Sequence, residues 1–176
     1  MTSLVVHILR GLAYILPAYI ANATPVIVGG GSPIDMGKNF IDGRRVFGDN
    51  KTIRGLIGGI FFGTITGLLL PYLFAMLDIG AIGLFDAIVL AFLLSIGTHI
   101  GDLLGSFIKR RLNLKPGAPA PVLDQIGFIV FAILVAYPYK PLISTVEIAL
   151  ILAITLAVHP TSNIIAYVLG LKDKPW

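Results

Sequence analysis

The chain has 176 residues, of which 56% are hydrophobic and 12% charged, with a net charge of +4 and no cysteine; its mean hydropathy is +0.92. Soluble domains carry about twice that share of charge, so the composition points to one all-α domain over residues 1–176 that turns its surface to lipid. The missing cysteines exclude disulfides, thiolate metal sites and cysteine nucleophiles.

The first apolar span runs over residues 4–28, where Pro17 and Pro25 are expected to kink or end a helix. It lacks the basic start and short apolar core of a signal peptide. The loop 29–54 follows, too rich in glycine and charge for a helix and too long for a mere connector. It ends in Gly48-Asp49-Asn50-Lys51-Thr52. That sequence finishes like a P-loop but lacks its glycine spacing and preceding strand, which excludes a Walker site. Glycine backbone N–H groups with Lys and Arg suit a nucleotide phosphate, whereas a purely basic loop would grip anionic head groups. The interleaved Asp35, Asp42 and Asp49 favour the nucleotide reading.

A second span covers 55–77 and a third 81–108. The third is studded with Ser95, Thr98, His99, Asp102 and Ser106, and Lys109, Arg110 and Arg111 follow at once. Residues 95, 98, 106 and 109 share a helix face with Asp102. A carboxylate in a membrane-length helix faces a wet cavity or a partner charge. Lys109 lies about 10 Å further along. His99 reads as a packing residue, and nothing indicates zinc.

The basic loop 109–121 leads to a short fourth span, 122–137, with Asp124 near its start behind the proline-rich Pro116–Pro121 stretch. A fifth span, 142–159, precedes a tail with Lys172 and Lys174. Five spans put both basic loops and the tail on one side, which the positive-inside rule makes cytoplasmic, with the N-terminus outside and the C-terminus inside. Asp78, Asp86 and Glu147 then fall at outer helix ends and read as solvated interfacial groups. Asp102 and Asp124 arrive together on the cytoplasmic side. They are either structural salt-bridge partners of the loop cations or ligands of Mg²⁺, which takes one or two carboxylates and completes its shell with water and substrate phosphates.

The stretch Gly101-Asp102-Leu103-Leu104-Gly105-Ser106-Phe107-Ile108-Lys109-Arg110, with Lys115 further on, resembles the G-D-L-x-x-S-x-I-K-R core of CTP-dependent phosphatidate cytidylyltransferases. The loop Asp42-Gly43-Arg44-Arg45 … Gly48-Asp49-Asn50-Lys51-Thr52-Ile53-Arg54-Gly55 is similar to that of their archaeal branch, the CDP-archaeol synthases. The likeness covers essentially the whole chain. Pro116 stands where the bacterial and eukaryotic pattern has an aspartate. Asp124 falls on the first residue of its D-R-x-D element, with Gln125 and Gly127 replacing the Arg and final Asp.

The resemblance implies transfer of a cytidylyl group from CTP to the ether-lipid phosphate 2,3-bis-geranylgeranyl-glycerol 1-phosphate at the cytoplasmic face of the cell membrane, with Mg²⁺ as cofactor. Such a reaction needs charge neutralisation and alignment, so the residues themselves lead us to expect Asp102, Asp124 and Lys109 at the chemistry, the two aspartates as metal ligands. Asp42, Arg44, Arg45, Asp49, Lys51, Thr52 and Arg54 would meet the CTP phosphates, and Ser106, Lys109, Arg110 and Arg111 the lipid phosphate. The expected partners are these substrates and membrane lipids, not nucleic acid. A small transporter would need polar groups through the full bilayer depth. A lipid-binding assembly subunit would leave the aligned aspartates unexplained.

Overall fold

The structure, a computed structural model, describes residues 3–115 and 117–175, so Pro116 lies outside the described residues. It contains six α-helices: α1 (Leu4–Val28), α2 (Ile53–Ile65), α3 (Leu70–Met76), α4 (Leu84–Arg111), α5 (Leu123–Ala136) and α6 (Thr145–Val168), with a 3₁₀ turn at Thr66–Leu68. Among the described residues there are no strands, only two isolated bridges in the loop before α2. α1, α4 and α6 are each long and apolar enough to cross a membrane. α2 with its 3₁₀ turn and α3 form a bent pair, deflected by 42°, that passes the same test together.

Local chemistry sets these boundaries. Ser3 caps α1 and Thr52 caps α2, each accepting from an otherwise orphaned backbone N–H. The second span bends where Pro71 enters at the first turn of α3, since proline removes a ladder donor. The third span starts and ends three residues later than the hydropathy suggests, so Lys109, Arg110 and Arg111 form the last turn of α4. Three cations there complement the negative end of the helix dipole. α1 continues through both prolines to Val28. α6 does not stop at His159 but runs through Pro160 to Val168. Hydroxyls of Thr161 and Ser162 donate to the carbonyls of Ala157 and His159, at 2.7 and 2.9 Å, around the break.

The core lies between α1, α4, α5 and α6, around Tyr14, Leu90, Leu94, Ile129 and Ile151. α4 approaches α5 almost backbone to backbone. A Cβ on Gly97 would lie 2.5 Å from the Phe131 carbonyl oxygen, and one on Gly101 2.6 Å from that of Gly127. Small residues at such crossings let helices associate where lipid offers no hydrophobic gain.

At one end of the bundle Glu147 is buried rather than solvated, correcting the expectation for it. Its carboxylate accepts from the Ser144 backbone N–H and lies 3.1 Å from His7 Nδ1 and 3.3 Å from Arg10 Nη1. Asp86 nearby pairs with Lys140 at 2.5 Å. The other end carries the cavity.

Candidate active site

A cavity of about 670 Å³ opens among the C-terminal ends of α1, α4 and α6, the start of α5, the 117–121 segment and the end of the first loop. Asp102 and Lys51 meet on its wall. The Lys51 ammonium donates to both carboxylate oxygens, at 2.7 and 2.6 Å. Lys109 donates to Asp124 Oδ1 at 2.6 Å, and the second Asp124 oxygen accepts from the Ala120 backbone N–H at 2.8 Å. The last contact folds the proline-rich segment onto the start of α5. Thus two carboxylate–lysine pairs, drawn from the first loop, α4 and α5, line one space.

Ser106 and Arg110 line the same cavity and are both buried. Arg110 donates to the Lys115 carbonyl at 3.0 Å. Its Nε and Nη1 are buried with no hydrogen-bond partner among the described residues. A buried donor without an acceptor is costly, and an anion entering the cavity would supply the acceptor. His99 also lines the wall, with Nε2 lacking a partner and packed against Gly59.

The remaining candidates from the first loop lie off the cavity and have other work. Asp35 organises this loop. Its side chain is 1% exposed and accepts from Arg45 at 2.6 Å and from the backbone N–H groups of Phe47, Gly48 and Gly37. Burial opposes its charge, but the Arg45 guanidinium and these backbone donors outweigh that and hold the carboxyl well below the usual carboxylate range. Arg45 also grips Asp49 at 2.6 Å. Thr52 is spent on capping α2.

Arg111 clamps the first loop to the end of α4. It pairs with Asp42 at 2.7 Å, donates to the Arg45 carbonyl and lies over the rings of Phe40 and Phe107, 5.0 and 4.5 Å from their centroids. Arg44 returns the contact by donating to the Arg111 carbonyl. Together these residues dock the loop on the end of α4 and so deliver Lys51 to Asp102. Arg54 sits instead on a shallow, mostly apolar groove beside Val28, Ile57 and Phe62.

Comparison with known proteins bears on what this cavity is for. The family model for CDP-archaeol synthase, CarS-like, matches residues 3–176. A CDP-archaeol synthase of Pyrococcus horikoshii is 52% identical over 97% of this chain and 98% of its own length. That of Methanococcus aeolicus is 48% identical over 99% of each. The chain belongs to the CDP-archaeol synthase family. A solved structure described as an intramembrane enzyme for archaeal membrane lipids biosynthesis superposes on this family member with a TM-score of 0.78. The two are 38% identical, over 89% of this chain and 94% of the other. With its apolar helices, that kinship makes this CDP-archaeol synthase family chain a multi-pass membrane protein.

Sequence reasoning missed part of the wall. His159, Asn163 and Lys172 border the cavity because α6 outruns Pro160 and the tail folds back. The available signal was Thr161-Ser162 directly after the proline, hydroxyls able to re-satisfy a broken ladder. Asp35 carried the signature of a loop keystone, an aspartate two residues before Gly37.

Proposed function

We propose that this chain transfers the cytidylyl group of CTP to 2,3-bis-geranylgeranyl-glycerol 1-phosphate, releasing pyrophosphate and the CDP-linked unsaturated archaeal ether lipid. The observation that carries this reading is the cavity wall on which Asp102–Lys51 and Asp124–Lys109 stand together with the unsatisfied donors of Arg110. Family membership supplies the identity of the substrates.

The lipid phosphate is largely a dianion near neutral pH, so its oxygen attacks the α-phosphorus of CTP without a general base. The new P–O bond forms as the bond from the α-phosphorus to the bridging oxygen of pyrophosphate breaks, and that oxygen leaves with the electron pair. What the protein supplies is alignment and neutralisation of charge. Lys51 turns from Asp102 toward the nucleotide phosphates. Lys109, with Ser106 and Arg110, holds the lipid phosphate where α4 reaches the membrane surface. Asp42, Arg44, Arg45, Asp49, Thr52, Arg54 and Arg111 shape or flank the loop and leave the phosphates to the cavity's own cations.

The donor set also fits Mg²⁺. The cavity offers the oxygen-only carboxylates Asp102 and Asp124, and no group of three or more His, Cys, Asp or Glu side chains suited to a metal occurs among the described residues. Two carboxylates with substrate phosphates completing the shell is the pattern of a hard ion used with nucleotides. Asp102 and Asp124 would hold it, and it would neutralise phosphate charge during transfer. Release of each carboxylate from its lysine is what makes both ligands and both cations available.

In the membrane we place five crossings: α1, the bent α2–α3 pair, α4, α5 and α6. α5, with 14 residues, is short for a ~30 Å core and relies on the cover of α4. The N-terminus lies outside, and the cavity and C-terminus face the cytoplasm, following the basic loops. Purified protein in lipid nanodiscs given CTP and lipid phosphate tests the activity. Label from the cytidine moiety of CTP should enter lipid only when both substrates and Mg²⁺ are present. Pyrophosphate release without lipid phosphate, or label entering no lipid, would refute it.

A further inference from the structure

The end of α6 and the segment after it are built to face the cavity. Gly170 adopts φ +69°, its N–H donates to the Tyr167 carbonyl at 3.0 Å, and the Leu171 N–H reaches back to the Ala166 carbonyl at 2.9 Å. This is the left-handed termination that glycine permits. It reverses the chain, so that Lys172 lands on the cavity wall instead of running out beyond the helix. Lys172 Nζ donates to Asn163 Oδ1 at 2.8 Å, while Asn163 Nδ2 lies 3.3 Å from His159 Nδ1. The His159 ring in turn rests on Phe128, with centroids 5.7 Å apart. A helix turn, a tether and a ring contact therefore fix where this ammonium stands.

Its surroundings say what it faces. Burial, then the charge of Lys51, push the Lys172 ammonium below its ordinary pKa, with Asp124 pulling the other way and Lys109 adding to the repulsion. Lys172 thus shares one cavity wall with Lys51 and Lys109, which come from two other segments, and feels the charge of both. Like charges gathered on one wall favour a polyanion in the cavity.

We infer that Lys172 is a phosphate-binding residue, held in place by Asn163, and that the segment following α6 is a working wall of the site. The inference rests on the reading above that the cavity receives phosphate-bearing substrates. It names a residue which that reading does not use. CTP and the lipid phosphate offer the same chemistry to an ammonium, so the test separates them.

The full chain in nanodiscs is compared as wild type, Lys172→Ala, Lys172→Gln, Lys172→Arg and Asn163→Ala. The readouts are KM for CTP, KM for lipid phosphate, kcat, melting temperature and the affinity for inorganic pyrophosphate by calorimetry. Lys172→Ala and Lys172→Gln should raise one KM by about tenfold, with kcat and melting temperature near wild type. Lys172→Arg should restore most of the loss, and Asn163→Ala should reproduce a smaller part of it. A higher KM for CTP with weaker pyrophosphate binding assigns Lys172 to the nucleotide. A higher KM for lipid phosphate alone assigns it to the lipid. Unchanged KM values and pyrophosphate affinity in Lys172→Gln would overturn the inference, as would a lower kcat with both KM values unmoved. A wild-type protein that binds pyrophosphate through Lys172 but transfers no cytidylyl group would sink the proposed reaction while leaving this site standing.

Discussion

The lysine that meets Asp102 comes from more than fifty positions away, and sequence spacing pointed instead to Lys109 or Arg110 on the same helix. Helical periodicity finds neighbours along one helix but cannot see which loop folds over it. The salt-bridge alternative for the aspartates therefore takes a definite form, Asp102 with Lys51 and Asp124 with Lys109, and the metal reading must begin from those pairs. If Lys51 serves the nucleotide and Lys109 with Arg110 the lipid, Lys51→Ala should raise KM for CTP more than for lipid phosphate. Lys109→Ala should do the reverse, and equal effects would remove the division of roles. Asp42 and Arg111 give a different signature. As a clamp they should behave as a unit, so the double alanine variant should cost no more than Arg111→Ala alone, with a coupling energy of about 1 kcal/mol in a thermal-stability cycle. Additive losses would show that they do not act through each other. The pH response of the loop follows from Asp35. Its pKa is depressed in the folded protein, so the unfolded chain binds the extra proton as pH falls through the ordinary carboxylate value of about 3.9. Loop stability should hold from neutral pH down to about 4 and fall below it. Hydrogen exchange at Phe47 and Gly48 measures this, and Asp35→Asn should flatten that fall.

At the level of elements, the apolar runs mark where helices exist, and what they leave out is where polar chemistry decides the ends. Thr52 starts α2 inside what reads as loop, and three cations extend α4 to Arg111. Hydroxyls carry α6 past Pro160. These terms act over one turn and scarcely alter hydropathy averaged along the chain. The last of them had the largest consequence, because it brings Asn163 and Lys172 to the cavity. The tight α4–α5 crossing was not legible either, since Gly97 and Gly101 read as ordinary members of an apolar run until their neighbours are known. A side chain there must displace backbone rather than a flexible side-chain tip. Gly101→Val should therefore lower stability by about 2 kcal/mol or more and displace Asp102 one residue away. Melting in nanodiscs would register it. A Gly101→Val protein with wild-type melting temperature would mean that the crossing is looser than drawn.

For the whole molecule, the polar groups sort to two ends. Glu147 with His7 and Arg10 ties one end, and the carboxylate–lysine pairs open the other. The first loop and the 109–121 segment meet at that second end, as one shared site requires. Exposed positions Asn50 and Lys115 lie at the cavity end, while Ala81 is exposed in the turn before α4. Because the chain has no cysteine, single cysteines at these positions can be probed in sealed cells with an impermeant thiol reagent. Only the Ala81 variant should label from outside; labelling at position 50 or 115 would invert the proposed orientation. The most direct test lies at Asp102, where the helix, the loop and the substrates are all supposed to meet. Cytidylyl transfer from CTP to lipid phosphate is measured for wild type and Asp102→Asn in the same nanodiscs, with melting temperature recorded alongside. The expected result is a rate lower by on the order of a thousandfold in a protein that remains folded. An Asp102→Asn enzyme turning over at the wild-type rate would contradict the placement of the chemistry in this cavity.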